Sequence, residues 1–528
     1  MDLIFDKVTY QPLEQVTGIA PHSGAISVSR LGVLLKEIAC TEEFNLGTFP
    51  VGAYSILWKG HNGAQQSSAF EVLKDSWTRL RYGFISEFSE EVDTGNYVSW
   101  AKKLHLTAIQ FYDWAWKHEF LTTHATHYPD PLGQIISTQK IKELIREYHK
   151  VGADASGYAA IYAVDSEGWE RWKSSGLFDT DGNPYTLGDD FLWIVDPADP
   201  KWLKHIISEL QKAHEFGFNA FHLDQYGWPK SALRTDGVAV DLAKRFPEML
   251  NEIVHSMPSC KQIFNNVNDY PTWSTTQTDQ HATYIEVWDP HSTYRHLADL
   301  VSKARGLNPS VPVILSAYLH PFGSIGKDVD EVEAVASFEL AFASITSGGA
   351  SHLITGGDGR VLHHAYYVNN YVAPESTLKT IRSYYDLVVA SGDLLYDSSR
   401  EDVTLIEAFG VNNEVKFESL ANISHEPVPK HLWIRVFKGK TGLTFHIINL
   451  LDQDNCIWDT PKREISSSAE VTISIEAATY SNRVSIAHGI TGAEFNLDKM
   501  ETDGNRMRVV INVRSAWTII NIPLASMD

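Results

Sequence analysis

The sequence predicts a multidomain protein of mixed α/β and all-β class: a central (β/α)8 TIM barrel between an N-terminal immunoglobulin-like β-sandwich and a C-terminal β-sandwich. Two changes of hydrophobic rhythm and a count of eight apolar runs carry that expectation. Short alternating runs fill residues 1–77, apolar runs separated by longer amphipathic stretches fill 78–397, and alternation returns over 398–528. At 528 residues the chain exceeds one ordinary core, and its 43% hydrophobic and 21% charged residues suit a well-packed globular protein.

In the first segment, Ala25 to Val28, Gly32 to Leu35 and Gly52 to Trp58 alternate between turn residues, as strands of a small sandwich do. The middle segment holds eight runs: Arg79 to Ile85, Thr107 to Trp114, Ala155 to Ala163, Ala220 to Asp224, Gln262 to Val267, Thr283 to Val287, Val311 to Tyr318 and Ala350 to Thr355. Helices are expected between them. Lys140 to Lys150 stops before Gly152, and Pro200 to Phe216 stops at Gly217, where glycine commonly caps a helix. Eight strands with intervening helices suit a barrel. The last segment offers strands at Val403 to Ala408, His431 to Phe437, Gly442 to Leu450, Ala469 to Ile475 and Arg506 to Val513.

A formal charge of −22 with no Lys/Arg run argues against nucleic acid and anionic membrane as partners, and it puts no Coulomb penalty on a neutral sugar. Cys40, Cys260 and Cys456 are far apart and lack metal-ligand spacing, so neither a disulfide framework nor a metal site is expected. Ser347-Gly348-Gly349 and Thr355-Gly356-Gly357-Asp358-Gly359 lack phosphate-loop spacing and read as backbone turns, so no cofactor is called for. The N-terminus has no basic and apolar leader, and no run is long enough to span a membrane. As written, the expectation is a cytoplasmic protein, or a secreted one had a leader been removed. Nothing in the sequence sets an oligomeric state.

In such barrels the C-terminal ends of the strands face the active site, so polar residues closing an apolar run are the candidates. The second run closes with Tyr112, Asp113 and Trp114, followed by His118; Tyr162 stands near the end of the third. The fourth closes with His222, Asp224 and Gln225, the fifth with Asn265, Asn266 and Asn268, the sixth with Glu286 and Trp288, and the seventh with Tyr318. Carboxylates, aromatic faces and amides on one rim are what a pyranose requires.

Glycosidic cleavage needs two carboxylates, one to attack or to activate water and one to protonate the leaving oxygen. Asp224 and Glu286 are the best such pair. The flanking Tyr284 and Trp288 give Glu286 an apolar setting, which should raise its pKa above the ordinary value of about 4.3. Each residue also has a structural reading. Asp224 could cap a helix or turn, Asp113 could pair with His118 or an arginine, and His222 could be a hydrogen-bonded core histidine. Trp114, Trp116, Trp228 and Trp288 could each be packing groups.

At these residues the chain resembles glycoside hydrolase family 66, the dextranases and cycloisomaltooligosaccharide glucanotransferases. The resemblance spans about residues 80–395. It rests on Arg81 to Phe88, Gln110 to Trp114, Asp130 to Gly133, Ile194 to Pro197, Phe221 to Gly227, Tyr284 to Trp288 and Tyr384 to Leu387, in that order. It implies a sandwich, barrel, sandwich architecture, a nucleophile at Asp224 and a general acid/base at Glu286. The implied activity is retaining cleavage of α-1,6-glucan, either dextran or isomaltooligosaccharides. The cyclising transferases carry a long carbohydrate-binding insertion for which this chain has no room, so hydrolysis is expected ahead of transglycosylation. A catalytically silent glucan-binding protein is the reading from another class, and both carboxylates argue against it.

Overall fold

The computed structural model describes residues 2–476 and 478–525. Eight parallel strands form the central sheet: β1 (Tyr82–Ile85), β2 (Ala108–Phe111), β3 (Asp154–Ala160), β4 (Ala220–Asp224), β5 (Lys261–Val267), β6 (Ala282–Glu286), β7 (Val313–Ser316) and β8 (Ser351–His352), each hydrogen-bonded to the next in sequence order. Between β8 and β1 the seam closes through the glycine turn. The Gly357 amide donates to the Phe84 carbonyl at 2.7 Å, and a Cβ on Gly356 would lie 2.0 Å from that same oxygen. Only a glycine allows that approach. The β8 run expected to reach Thr355 therefore stops early, and Thr355–Gly356 pairs instead with Arg360–Leu362.

Seven long helices wrap the sheet: α1 (Thr94–Lys103), α2 (Thr138–Lys150), α3 (Pro200–Phe216), α4 (Leu242–Ser256), α5 (Tyr294–Leu307), α6 (Glu331–Thr346) and α7 (Glu375–Ala390). Their ends follow local chemistry. Asp199 accepts from the Lys201 and Trp202 amides at the start of α3, and Gly217 ends it at φ 138°. Between β5 and β6 the crossover is reduced to the single turn Thr272–Thr275.

Before the barrel, a four-stranded sheet (Gly24–Arg30, Val33–Cys40, Gly52–Gly60, Gln65–Val72) faces a three-stranded one (Ile4–Phe5, Val16–Ile19, Glu43–Gly47) over Phe5, Tyr10, Phe44, Tyr54, Trp58 and Phe70. After it, a large sheet built on Leu432–Gly439, Gly442–Asn449 and Trp517–Pro523 covers a four-stranded sheet that includes Ala469–Glu476 and Arg506–Val513. The run Val403 to Ala408 is not a strand. Thr404–Ala408 makes a π-helical turn that buries Thr404 and Ala408 and exposes Leu405 and Ile406, a pattern that does not have the period of two a strand needs.

The N-terminal sheet meets the closed end of the barrel through a buried ion cluster. The Glu71 carboxylate, wholly buried, accepts from Arg79 and from Arg81, each at 2.8 Å. Arg79 also binds Asp393 at 2.7 Å, and Asp393 binds Arg30 at 2.7 Å. Glu71→Ala leaves the buried Arg81 uncompensated and should cost about 3–5 kcal/mol in denaturant unfolding, with Glu71→Gln losing less. An unchanged midpoint in Glu71→Ala would show that the cluster contributes nothing to stability.

Candidate active site

Strand register brings the two candidate carboxyls together. Asp224 is the last residue of β4 and Glu286 the last of β6, with β5 between them. On β5, Asn265 points its amide into the gap: Nδ2 donates to Asp224 Oδ1 at 2.8 Å and to Glu286 Oε2 at 3.1 Å. The far oxygen of each carboxylate is held by a tyrosine. Tyr158 on β3 donates to Asp224 Oδ2 at 2.7 Å, and Tyr318, just beyond β7, donates to Glu286 Oε1 at 2.6 Å. Four consecutive strands and the loop after β7 therefore fix one dyad.

Gln225 does not face this space. Its Nε2 donates to the Asn265 and Tyr270 carbonyls at 3.0 Å, and its Oε1 accepts from the Gly227 amide, so it holds the backbone that carries Asn265. Tyr162 lies past the end of β3 and is fully buried; its hydroxyl donates to the Trp228 carbonyl and accepts from the Tyr226 amide, bracing the turn after Asp224. Trp114 is fully buried as well. Its ring packs 4.4 Å from Phe218, and Nε1 donates to the Tyr158 carbonyl at 3.0 Å, which makes it core. Asn266 binds Thr275 and the Tyr284 carbonyl, and Asn268 binds the Trp288 amide and the Asp289 carbonyl.

Beneath the dyad, His222 shares the inward face of β4 with Asp224. It lies between Tyr82 and Tyr158, ring centroids 6.1 and 6.0 Å away, with Tyr284 edge-on at 4.7 Å. Burial pulls it down to about 3, so it is a neutral floor for the site. Tyr112 stacks on Tyr367 at 4.2 Å and meets Tyr158 edge-on at 5.0 Å. Trp288 is 38% exposed, with its ring 5.7 Å from that of Tyr318, and presents a face to solvent beside Glu286. His118 sits further out against Phe191, and burial pulls it down to about 4.

Asp113 adopts φ 49°, and among the described residues neither His118 nor an arginine pairs with it. Burial, then the Asp130 and Asp224 charges, push it up to about 8, so at neutral pH it can donate a hydrogen bond. Asp224 is itself pushed up to about 7, by burial first and by Glu286 second. The tyrosines around it, Tyr112, Tyr158, Tyr162 and Tyr226, crowd a half-buried carboxyl that the sequence presents as the charged member. Asp358 forms an ion pair with Arg360 at 2.9 Å, and Arg360 also binds Glu87.

Sequence reasoning passed over Tyr158 and Tyr367. Tyr158 stands opposite His222 in the ladder, so strand pairing with an even register would have found it. Tyr367 comes from the loop after β8, where its hydroxyl lies 3.3 Å from that of Tyr284 and 3.4 Å from Gln110. No local pattern marks it.

Comparison with known proteins gives the same picture. A cycloisomaltooligosaccharide glucanotransferase of Niallia circulans is 26% identical over 288 residues, 48% of this chain and 29% of that protein. A dextranase of Streptococcus salivarius is 22% identical over 453 residues, 71% of this chain and 53% of that protein. The matches thus span between under a third and about half of the curated relatives' length. The crystal structure of a Paenibacillus sp. cycloisomaltooligosaccharide glucanotransferase complexed with cycloisomaltoheptaose superposes with a TM-score of 0.86 at 16% identity, covering 98% of this chain and 99% of that one. The sequence profile of glycosyl hydrolase family 66 matches residues 49–515, which takes in the whole barrel and most of the C-terminal sheets, and the chain belongs to that family.

Proposed function

We propose that the protein is a retaining glycoside hydrolase acting on α-1,6-glucan, with Asp224 as nucleophile and Glu286 as general acid/base. One observation carries the reading. The nearest oxygens of the two carboxyls share the Asn265 nitrogen and so lie at most about 5.9 Å apart, a closeness that supports a retaining pair, whose carboxyls stand about 5–5.5 Å apart, over an inverting pair at about 6.5–9.5 Å.

In the first step the Asp224 carboxylate bonds to the anomeric carbon while the leaving oxygen departs with the proton of Glu286. In the second, Glu286 takes a proton from water, whose oxygen bonds to that carbon and frees Asp224. Hydrogen bonds from Tyr158 and Asn265 stabilise the charged Asp224 and offset part of its burial. The names of the relatives support isomaltooligosaccharides or dextran as substrate. Transfer to a sugar hydroxyl is the second reading, favoured by the likeness to a glucanotransferase along almost its whole chain. Product analysis at low and high isomaltooligosaccharide concentration measures the partition between water and sugar.

Proton NMR of the first reducing sugar released should show the α-anomer; initial β-anomer would overturn the retaining mechanism. Asp224→Asn and Glu286→Gln should each lower turnover on dextran by at least about a thousandfold.

Azide then separates the roles on α-glucosyl fluoride. Asp224→Gly should yield the β-glucosyl azide by single displacement, and Glu286→Gln the α-azide through the glycosyl enzyme. The same azide anomer from both would undo the assignment.

Asp224→Asn should also report the strain of the site. The folded enzyme holds the Asp224 proton up to about 7, whereas the unfolded chain releases it near the ordinary aspartate value of 3.8. Native stability is therefore lost as pH rises between those values and does not return above them. Asparagine escapes that loss. The variant's thermal midpoint should rise relative to wild type from pH 4 to pH 7 and then run parallel; a constant difference across that range would show that Asp224 is not the group pushed up.

A further inference from the structure

Between Gly442–Asn449 and Ala469–Glu476 the C-terminal sandwich sends a loop to the barrel rim. The loop is built to hold its shape. At its base the Gln453 side chain pairs with the Arg463 backbone in both directions, Nε2 to the carbonyl at 2.9 Å and the amide to Oε1 at 3.1 Å. Inside it, Lys462 is 1% exposed, with its ammonium donating to Asn455 and Thr460 and lying 5.5 Å over the Tyr294 ring. A buried ammonium is tolerated only where such partners are fixed.

The tip of this loop touches the two segments that follow β6 and β7. Trp458 donates from its backbone to the Ser292 carbonyl at 3.0 Å and from Nε1 to the His291 carbonyl at 2.6 Å, on the segment leading away from Glu286 and Trp288. Asp459 accepts from the His320 amide at 2.8 Å and pairs with His320 Nδ1. His320 is on the segment that carries Tyr318, whose hydroxyl holds Glu286.

We propose that Asp459 is a positioning residue: through His320 it fixes Tyr318, and through Tyr318 the orientation in which Glu286 delivers its proton to the leaving oxygen. The inference rests on the acid/base reading of Glu286. Proton delivery is sensitive to displacements well under the length of a hydrogen bond, so a relaxed rim costs protonation before it costs binding. Trp458 secures the other side of the same acid by anchoring the segment after β6.

The test compares substrates that need the proton with one that does not. Asp459→Ala should lower kcat on isomaltooligosaccharides by about ten- to a hundredfold with KM nearly unchanged. On α-glucosyl fluoride, whose fluoride leaves without a proton, kcat/KM, which reports the first step and not the base-assisted second one, should stay within about twofold of wild type. Asp459→Asn keeps an acceptor for the His320 amide and should fall between. Trp458→Phe, which deletes only the bond to His291, should show a smaller deficit with the same substrate dependence, and it serves where Asp459→Ala does not fold. Wild-type kinetics on both substrates, or equal losses on both, would overturn the proposal. Glu286→Gln assayed alongside separates the two levels: if it too lacks a leaving-group dependence, the assignment of Glu286 has failed, and not the bracing by Asp459.

Discussion

One amide group sets the geometry on which the site depends. Asn265 places a single nitrogen between two carboxylates that would otherwise repel each other, and an amide N–H₂ offers two donors at a fixed angle. It can do so only because β5 lies between β4 and β6 in the ladder, so that the pleat turns Asn265 inward beside the end of β4 and two residues short of the level at which β6 ends. Gln225 pins the backbone under Asn265 from the β4 side. A slip of one residue in β5 would turn the amide outward and leave two acids facing each other.

Burial does the rest of the tuning. Asp224 has aromatic rings on several sides, and the carboxyls of Asp113 and Asp224 oppose each other across the same space. Two groups that would be charged in water are held where the charge is costly, and each is favoured toward the protonated form in the resting protein. Hydrogen bonds to Asp224 from Tyr158 and Asn265 work in the opposite direction. The balance is a site whose carboxyls are costly to ionise, with hydrogen bonds that offset part of that cost at Asp224.

Much of this was readable from residue order. Apolar runs located the strands, Gly217 and the caps located helix ends, and polar residues closing the runs located Asp224, Asn265, Glu286, Trp288 and Tyr318 around one centre. The misreadings have a common cause. Trp114, Tyr162 and Gln225 were placed by their closeness in sequence to a strand end, but a residue's direction there depends on where the strand stops and the turn begins, which pattern alone leaves uncertain by a few residues. Tyr367 reaches the dyad's neighbourhood from the loop after β8 through a tertiary arrangement, which has no sequence period. The raised Asp224 value is likewise invisible to a one-dimensional reading, since it comes from burial by side chains on separate strands and loops and from the Glu286 charge on β6. The turn at 404–408 looked like a strand because Leu405 and Ile406 are apolar, yet both face solvent.

The ion cluster at the closed end of the barrel has a consequence for how the molecule comes to exist. Glu71, Arg79 and Arg81 leave the ribosome close together, but Arg30 gains its acid, and Arg79 its second, only when Asp393 is made, after the last barrel strand and its helix. Until then Arg79 and Arg81 share the one carboxylate of Glu71. The N-terminal sheet thus completes its ion pairs to the barrel only after the chain has been made past Asp393, and a shorter chain lacks the acid that joins Arg30 to Arg79.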